Sequence, residues 1–505
     1  MNLSLCLKET AKKFPDKTAI YFNEDRLTFK QLDDSAGKFA SALSKSGVSM
    51  GNRVGALLRN CPAYIIAVYG ILRNGSILVP INTFLTPSEI QFILDDSKIK
   101  CLITSKEFLP VLQGIRSGLP YLEKVIAVDI EENITEDVYS AKVLMKSQPR
   151  EYSQDNLDED IEAVFFYTSG TTGIPKAAML THKNLISDIN SSKKAISITP
   201  DDSFLLALPI FHSFCMTVNV LLPVYNGSSI VMVESVRSFE NLLKAIITCK
   251  PTIFAGVPQI FSALTAKPLS PEIIKNIPLR LCISGSAPLA EKTLNSFQEK
   301  FGIPLVEGYG LSEAAPVVSL NPLDKERKPN SVGLPLPDID VKIIGDDGTE
   351  LPPNEAGEIL IRGNNVMKGY YNRPEETDIA IRDGWLYTGD IGYKDKDGYI
   401  YIIDRKKDLI ISKGMKIYPR EIEALLYQYP KVEDAAVISR KDERKNESPL
   451  AFIVLKENET ATSREILDFL KSKIAGYKIP REIIFVKDLP KTATGKILKR
   501  ELKAV

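Results

Sequence analysis

Histidine is almost missing from this chain, with two in 505 residues, and cysteine offers little more. Cys6, Cys61, Cys101, Cys215, Cys249 and Cys282 stand apart, mostly in apolar surroundings, and no two form a C-x-x-C pair. Imidazole and thiolate are the usual zinc ligands, so this pattern argues against a zinc site and against a disulfide framework, and predicts plain buried thiols in a reducing compartment. Net charge is missing too: Lys+Arg and Asp+Glu both count 64. With no basic, aromatic-interleaved patch either, nucleic acid and an anionic membrane surface are poor partners. Long apolar runs are absent, because 63–72 is too short to span a bilayer and 218–233 is interrupted by Pro223 and Asn226. The opening Met1-Asn2-Leu3-Ser4-Leu5-Cys6-Leu7-Lys8 lacks the basic start and long apolar core of a signal peptide, so a cytoplasmic protein is expected. There is no internal repeat, low-complexity tract or long linker.

What is present is an ordinary globular composition, 44% hydrophobic and 25% charged, in a chain too long for one core. Thr28 to Gln31 reads as a capping box, followed by Phe29, Leu32, Ala36, Phe39 and Leu43 at steps of three and four until Gly47. Strand-like runs at 53–58, 76–81 and 100–104 alternate with helical stretches, which predicts an α/β protein with largely parallel sheet. A boundary is expected near Asp404, where the run 399–403 meets Asp404-Arg405-Lys406-Lys407-Asp408. This gives a large N-terminal α/β domain, 1–403, and a small C-terminal α+β domain, 404–505. The latter carries a helix opened by Pro419, a strand at 435–439 and a helix from Ser463.

The string Tyr167-Thr168-Ser169-Gly170-Thr171-Thr172-Gly173-Ile174-Pro175-Lys176 follows the apolar run 163–166. A strand entering such a turn presents backbone N–H groups and short hydroxyls to one small volume, and Lys176 adds a positive charge, so the guest is a polyphosphate. The Walker arrangement is excluded, because Ile174 and Pro175 separate Gly173 from Lys176.

This string resembles the signature of the adenylate-forming enzymes, the superfamily of acyl-CoA synthetases, luciferases and nonribosomal adenylation domains, and the resemblance runs over essentially the whole chain. Further motifs follow in that family's order: Ser284-Gly285-Ser286-Ala287-Pro288, Gly308-Tyr309-Gly310-Leu311-Ser312-Glu313, Tyr387-Thr388-Gly389-Asp390 and Lys491-Thr492-Ala493-Thr494-Gly495-Lys496. The resemblance implies that ATP lies on Thr168 to Gly173 and Lys176, with Gly285, Ser286, Ala287 and Pro288 along adenine. Gly308, Tyr309, Gly310 and Ser312 flank the base; Ser312 stands where the family usually has threonine and keeps the hydroxyl. Glu313 is implied as the Mg²⁺ ligand, with Asp390 and Arg405 on the ribose. Lys496 is implied on the carboxylate and α-phosphate oxygens, where cations meet developing negative charge. Lys407 matches the hinge about which the small domain rotates, and Lys413 and Gly414 match the wall of the pantetheine tunnel for coenzyme A. The implied catalytic set is Lys496, Glu313, Thr168, Lys176 and His212.

The carboxylate is less legible. Leu208-Pro209-Ile210-Phe211-His212-Ser213-Phe214-Cys215-Met216 resembles the segment bordering the acyl pocket, and His212 reads equally as a pocket wall or a hydrogen-bonded core residue. His182 reads as the first turn of a helix capped by Thr181. Phe211, Phe214, Met216 and Val257 bring no cation for a second carboxylate, which favours a hydrophobic monocarboxylate. The segments 404–410 and 418–423 resemble medium- and long-chain fatty acyl-CoA ligases, whereas 211–214 with 315–319 also resembles ligases that load acyl carrier protein. Aryl-acid CoA ligases stay open as well. There is no room between Arg405 and Lys496 for the insertion of ligases that stop at the adenylate. A catalytically silent ligand sensor would have lost Lys176, Glu313 or Lys496, and all three are present. A fatty-acid substrate leaves loose membrane association open, and the sequence says nothing of oligomeric state.

Overall fold

The computed structural model describes residues 2–150, 152, 157–169, 174–234, 239–412, 415–441, 447–492 and 496–502. It divides into two compact units, one of 1–327, 335–340 and 362–386, the other of 328–334, 341–361 and 387–505.

Two sheets organise the first unit. In one, the strands Leu305–Gly310, Leu281–Ser284, Ile253–Gly256, Ser203–Leu206, Ser229–Met232 and Thr18–Phe22 lie side by side in that order, all parallel. Asp25–Thr28 and Val317–Leu320 flank them antiparallel. In the other, Glu162–Ser169, Ile77–Pro80, Arg53–Leu57, Cys101–Thr104, Lys124–Ala127 and Val138–Ser140 are parallel neighbours, and Pro175–Thr181 returns antiparallel on Glu162–Ser169. The strands expected at 53–58, 76–81 and 100–104 are thus present, each within a residue or so at either end. Their centres are fully buried, as strands covered on both faces must be.

Local chemistry accounts for the helices. The Gln31 amide N–H donates to Thr28 Oγ1 at 3.2 Å and the Thr28 N–H to Gln31 Oε1 at 2.8 Å, starting the helix Phe29–Lys45, whose buried stripe contains Phe29, Leu32, Ala36, Phe39 and Leu43. Thr181 caps the helix His182–Ile196 in the same way through Asn184, so His182 is the first helical residue, as expected.

In the second unit the strand at 387–394 pairs antiparallel with Ile400–Arg405, placing Asp390 opposite Arg405. The strand therefore runs through Asp404, and this unit adds 328–334, 341–361 and 387–403 to the residues expected as the small domain. Beyond it, the helices Pro419–Leu426 and Ser463–Lys471 cover the sheet of Val432–Lys441, Glu447–Leu455 and Glu482–Phe485, around a core of Ile422, Leu426, Ala435, Val437, Ile453, Ile466 and Leu470. Free thiols occupy all six cysteine positions, four of them buried. Among the described residues no helix is long and apolar enough to cross a membrane.

Candidate active site

In the first unit, open α/β sheets place ligands at their carboxyl strand ends, and the expected residues sit there. Thr168 is the penultimate residue of one strand, and Lys176 is its cross-strand partner on the returning one. Lys176 is buried, its side chain 8% exposed; its Nζ lies 3.6 Å from Glu376 Oε1 and 5.3 Å from the centre of the Tyr370 ring. Glu313 is in the single turn Ser312–Ala314 after the strand Leu305–Gly310. Its Oε1 accepts from Thr168 Oγ1 at 3.2 Å and from the Tyr370 hydroxyl at 2.9 Å. Burial, and then the Glu313 charge, push the Tyr370 hydroxyl pKa up, which keeps it a donor. Thr168, Lys176 and Glu313, 145 residues apart in sequence at their extremes, thus share one small volume. Gly170, Thr171, Thr172 and Gly173 lie outside the described residues, as does the Ser169 side chain.

The strand Leu281–Ser284 delivers Gly285, Ser286, Ala287 and Pro288, with Ser286 at φ +69°. A Cβ on Gly285 would meet the Phe214 ring at 3.2 Å, so the smallest residue lets that ring pack on this loop. Gly310 is more constrained: its Cβ would sit 2.0 Å from the Pro316 carbonyl oxygen, and the Leu311 N–H donates to that same oxygen at 3.0 Å. Gly308 and the half-buried Tyr309 precede it on the same strand. Ser312 Oγ is 2.9 Å from Ser213 Oγ, which ties the turn to the segment 208–216. There His212 caps a short helix, its Nδ1 accepting from the Phe214 N–H at 3.3 Å. Phe211, Met216 and Val257 are buried.

The second unit holds the other expected residues. Asp390 is buried and its Oδ1 meets Arg405 Nε at 3.1 Å. Its own N–H donates to Thr388 Oγ1 at 3.0 Å, and Glu358 holds the turn, accepting from the Gly389 N–H at 3.1 Å and pairing with Lys406 at 2.7 Å. Lys407 is exposed in the turn Lys406–Asp408; Lys413 and Gly414 lie outside the described residues. Lys496 ends a narrow hairpin: Lys491 bridges Ile497, and the Thr492 N–H donates to the Lys496 carbonyl at 2.8 Å. Desolvation, and then the Arg405 charge, lower the Lys496 pKa, while Asp390 opposes them. The residue keeps an exposed surface, and hydration of that part limits the shift. The hairpin base is pinned by Lys491 to Asp434 at 2.6 Å and by Lys499 to the nearly buried Glu423 at 2.8 Å.

Residues 7–371 match the model of the AMP-binding enzyme, and 421–496 that of the AMP-binding enzyme C-terminal domain. The chain belongs to the AMP-binding enzyme family. A long-chain-fatty-acid–CoA ligase of Bacillus subtilis (strain 168) is 37% identical over 528 aligned residues, covering 99% of this chain and 94% of that protein. A feruloyl-CoA synthase of an Amycolatopsis species is 34% identical, covering 98% and 96%. The crystal structure of an anthranilate CoA ligase with anthranoyl-AMP superimposes with a TM-score of 0.90 at 31% identity, covering 100% and 97%. This member of the AMP-binding enzyme family is an AMP-forming acid–CoA ligase, and such ligases use ATP, Mg²⁺ and coenzyme A.

Glu313 fits the magnesium this family uses. Among the described residues both hydrogen bonds to its carboxylate fall on Oε1, which leaves Oε2 for a hard cation that takes its other ligands from phosphates and water. Sequence reading missed Tyr370, Glu376 and Asp96. Asp96 accepts from the Tyr167 hydroxyl at 2.7 Å and pairs with Arg373 at 3.0 Å, anchoring the strand one residue before Thr168. None of these three belongs to a spacing pattern.

Proposed function

We propose that this ligase activates a hydrophobic monocarboxylic acid, a medium- or long-chain fatty acid, and transfers the acyl group to coenzyme A. A carboxylate oxygen attacks the α-phosphorus of ATP and pyrophosphate leaves; the thiol sulfur then attacks the acyl carbonyl and AMP leaves. The observation that carries this reading is the meeting of Thr168, Tyr370 and Glu313 beside a buried lysine. Two like charges must approach in the first step, so cations and aimed dipoles are the main catalytic requirement.

In this reading Lys176 and the backbone of Gly170, Thr171, Thr172 and Gly173 hold phosphate oxygens, and Thr168 and Ser169 add their hydroxyls. Glu313 would hold Mg²⁺, which neutralises phosphate charge when bound. Gly285 to Pro288 and Tyr309 border the adenine, and Asp390 with Arg405 takes the ribose hydroxyls. Lys496 stabilises charge on the carboxylate and α-phosphate. Lys407 is the pivot between the two half-reactions, and Lys413 with Gly414 borders the pantetheine. His212 belongs to the acyl side, in a segment whose neighbours Phe211, Met216 and Val257 are apolar and buried.

The fatty-acid reading is supported by the Bacillus relative's name over nearly the full length of both chains. An aryl acid is the second reading, supported by the feruloyl and anthranilate enzymes at similar identity. The test is pyrophosphate and AMP release with ATP and Mg²⁺ across acetate, octanoate, palmitate, benzoate and coumarate, each with CoA, with holo-acyl carrier protein, or with neither. CoA-dependent turnover that peaks on octanoate or palmitate is the expected result. A peak on benzoate or coumarate transfers the assignment to aryl acids, and turnover only with the carrier protein transfers it to carrier-protein ligases.

A further inference from the structure

We propose that Tyr370 is a positioning residue that sets both charges of the phosphate site at once, its ring carrying the Lys176 ammonium and its hydroxyl orienting the Glu313 carboxylate. This rests on the reading of Lys176 as a phosphate ligand and Glu313 as the Mg²⁺ ligand. Tyr370 is built for such a task. Its two-residue strand, Gly369–Tyr370, pairs with Ala178 and Met179, two and three residues past Lys176, and the N–H groups of Lys368 and Tyr371 donate to Met179 and Ala177 at 2.9 Å. Its own N–H donates to Thr377 Oγ1 at 2.9 Å, fixing the residue against the helix Pro374–Ala380.

That helix also carries Glu376, which supplies the counter-charge that a buried ammonium requires. At 3.6 Å it is a loose partner, and a ring face gives up no hydrogen bond when the ammonium moves. Lys176 is therefore held without being committed, and triphosphate oxygens can take Glu376's place. The hydroxyl does the opposite for Glu313: with Thr168 it fills Oε1 and fixes the carboxylate so that Oε2 is the oxygen offered.

The two functions separate by substitution. Tyr370→Phe keeps the ring and removes the donor. Binding of α,β-methylene-ATP is measured by calorimetry with and without MgCl₂, alongside the Mg²⁺ dependence of pyrophosphate release. In Tyr370→Phe the Mg²⁺ concentration for half-maximal release should rise by about 10-fold or more, the usual cost of losing a group behind a metal ligand. Binding of the metal-free analogue should stay within about twofold of wild type, as should the KM for ATP at saturating Mg²⁺, because the ring is intact. Tyr370→Leu should additionally weaken the metal-free analogue by about fivefold, the scale of a partly buried cation–π contact.

Unchanged Mg²⁺ dependence in Tyr370→Phe, or equal losses with and without metal, overturns the proposal, since equal losses mean mere structural support. Glu313→Gln separates this failure from that of the underlying reading. If it leaves the Mg²⁺ dependence unchanged, the reading of Glu313 falls and the proposal with it; if it raises the Mg²⁺ requirement while Tyr370→Phe does not, only the proposal falls.

Discussion

The Glu313 cluster in the first unit and the Lys496 hairpin in the second are held by different physics. Around Glu313 the supports are hydroxyls, Thr168 and Tyr370, on strands whose register is fixed by backbone pairing and whose turn leaves no room for a Cβ at Gly310. Lys496 instead pairs through its backbone with Thr492 where a hairpin closes, and the described ion pairs nearby are those of Lys491 with Asp434 and Lys499 with Glu423. The first arrangement resists displacement at every residue. The second is anchored by two ion pairs outside the lysine itself, which, on the proposed reading of Lys496, suits a group that serves one half-reaction and leaves in the next.

The largest expected effect breaks that contrast at the lysine. Lys496→Ala should reduce acyl-adenylate formation by about 10²- to 10³-fold, the scale of losing one transition-state charge partner. Thioester formation from supplied acyl-adenylate should stay within a few-fold; comparable loss of both steps in rapid-quench assays would mean the hairpin is not a separable device. Lys499→Met comes next. It strands the Glu423 carboxylate in a nearly buried site and should cost about 4 kcal/mol in a urea titration followed by circular dichroism, whereas Lys499→Met with Glu423→Leu should recover most of it. Full recovery of stability without recovery of adenylation would show that the ion pair positions Lys496 as well as stabilising its unit.

The Glu313 cluster answers to packing. In Gly310→Ala the new methyl would meet the Pro316 carbonyl oxygen at 2.0 Å and should cost about 3 kcal/mol, the upper end for overpacking. The sole tryptophan, Trp385, belongs to the first unit, so the loss should appear as a lower urea midpoint in its fluorescence. A midpoint unchanged in fluorescence but lowered in circular dichroism would place the strain in the wrong unit.

Much of this was legible in the sequence because the cluster around Glu313 is written in local motifs. The capping residues Thr28 and Thr181 and the strand that leads into Thr168 each depend on neighbours in the chain, and each stands where its residues predicted, whereas Gly308 to Gly310 continue a strand and only Ser312–Ala314 turns. Tyr370 and Glu376 were illegible for the converse reason. They reach Lys176 and Glu313 through strand register across about 190 and 60 residues, and a tyrosine before Asn372-Arg373-Pro374 carries no sign of which carboxylate it will meet. The continuation of the 399–403 run through Asp404 was likewise hidden, because the charged string 404–408 reads as a domain boundary until Asp404 is seen buried, accepting from the N–H groups of Arg405 at 2.7 Å and Arg420 at 2.8 Å.

Acidification should separate the two units by the smallest of these effects. Burial pushes the His182 pKa down to about 4, and its Nδ1 accepts from the Leu3 N–H at 3.1 Å, a bond that only the neutral ring makes. The unfolded chain protonates this ring near pH 6.5, so the stability it contributes is complete above that pH and falls away as pH drops toward 4. By pH 5 the first unit should lose about 2 kcal/mol through this residue, read as a shift of the Trp385 urea midpoint. In the second unit burial raises the Asp404 pKa, so the folded state takes up that proton before the unfolded chain does, and mild acid does not weaken it there. His182→Asn keeps an acceptor and cannot charge. It should flatten the midpoint between pH 7 and 5, and an unaltered slope would mean that carboxylates, rather than this buried ring, set the acid limit of the first unit.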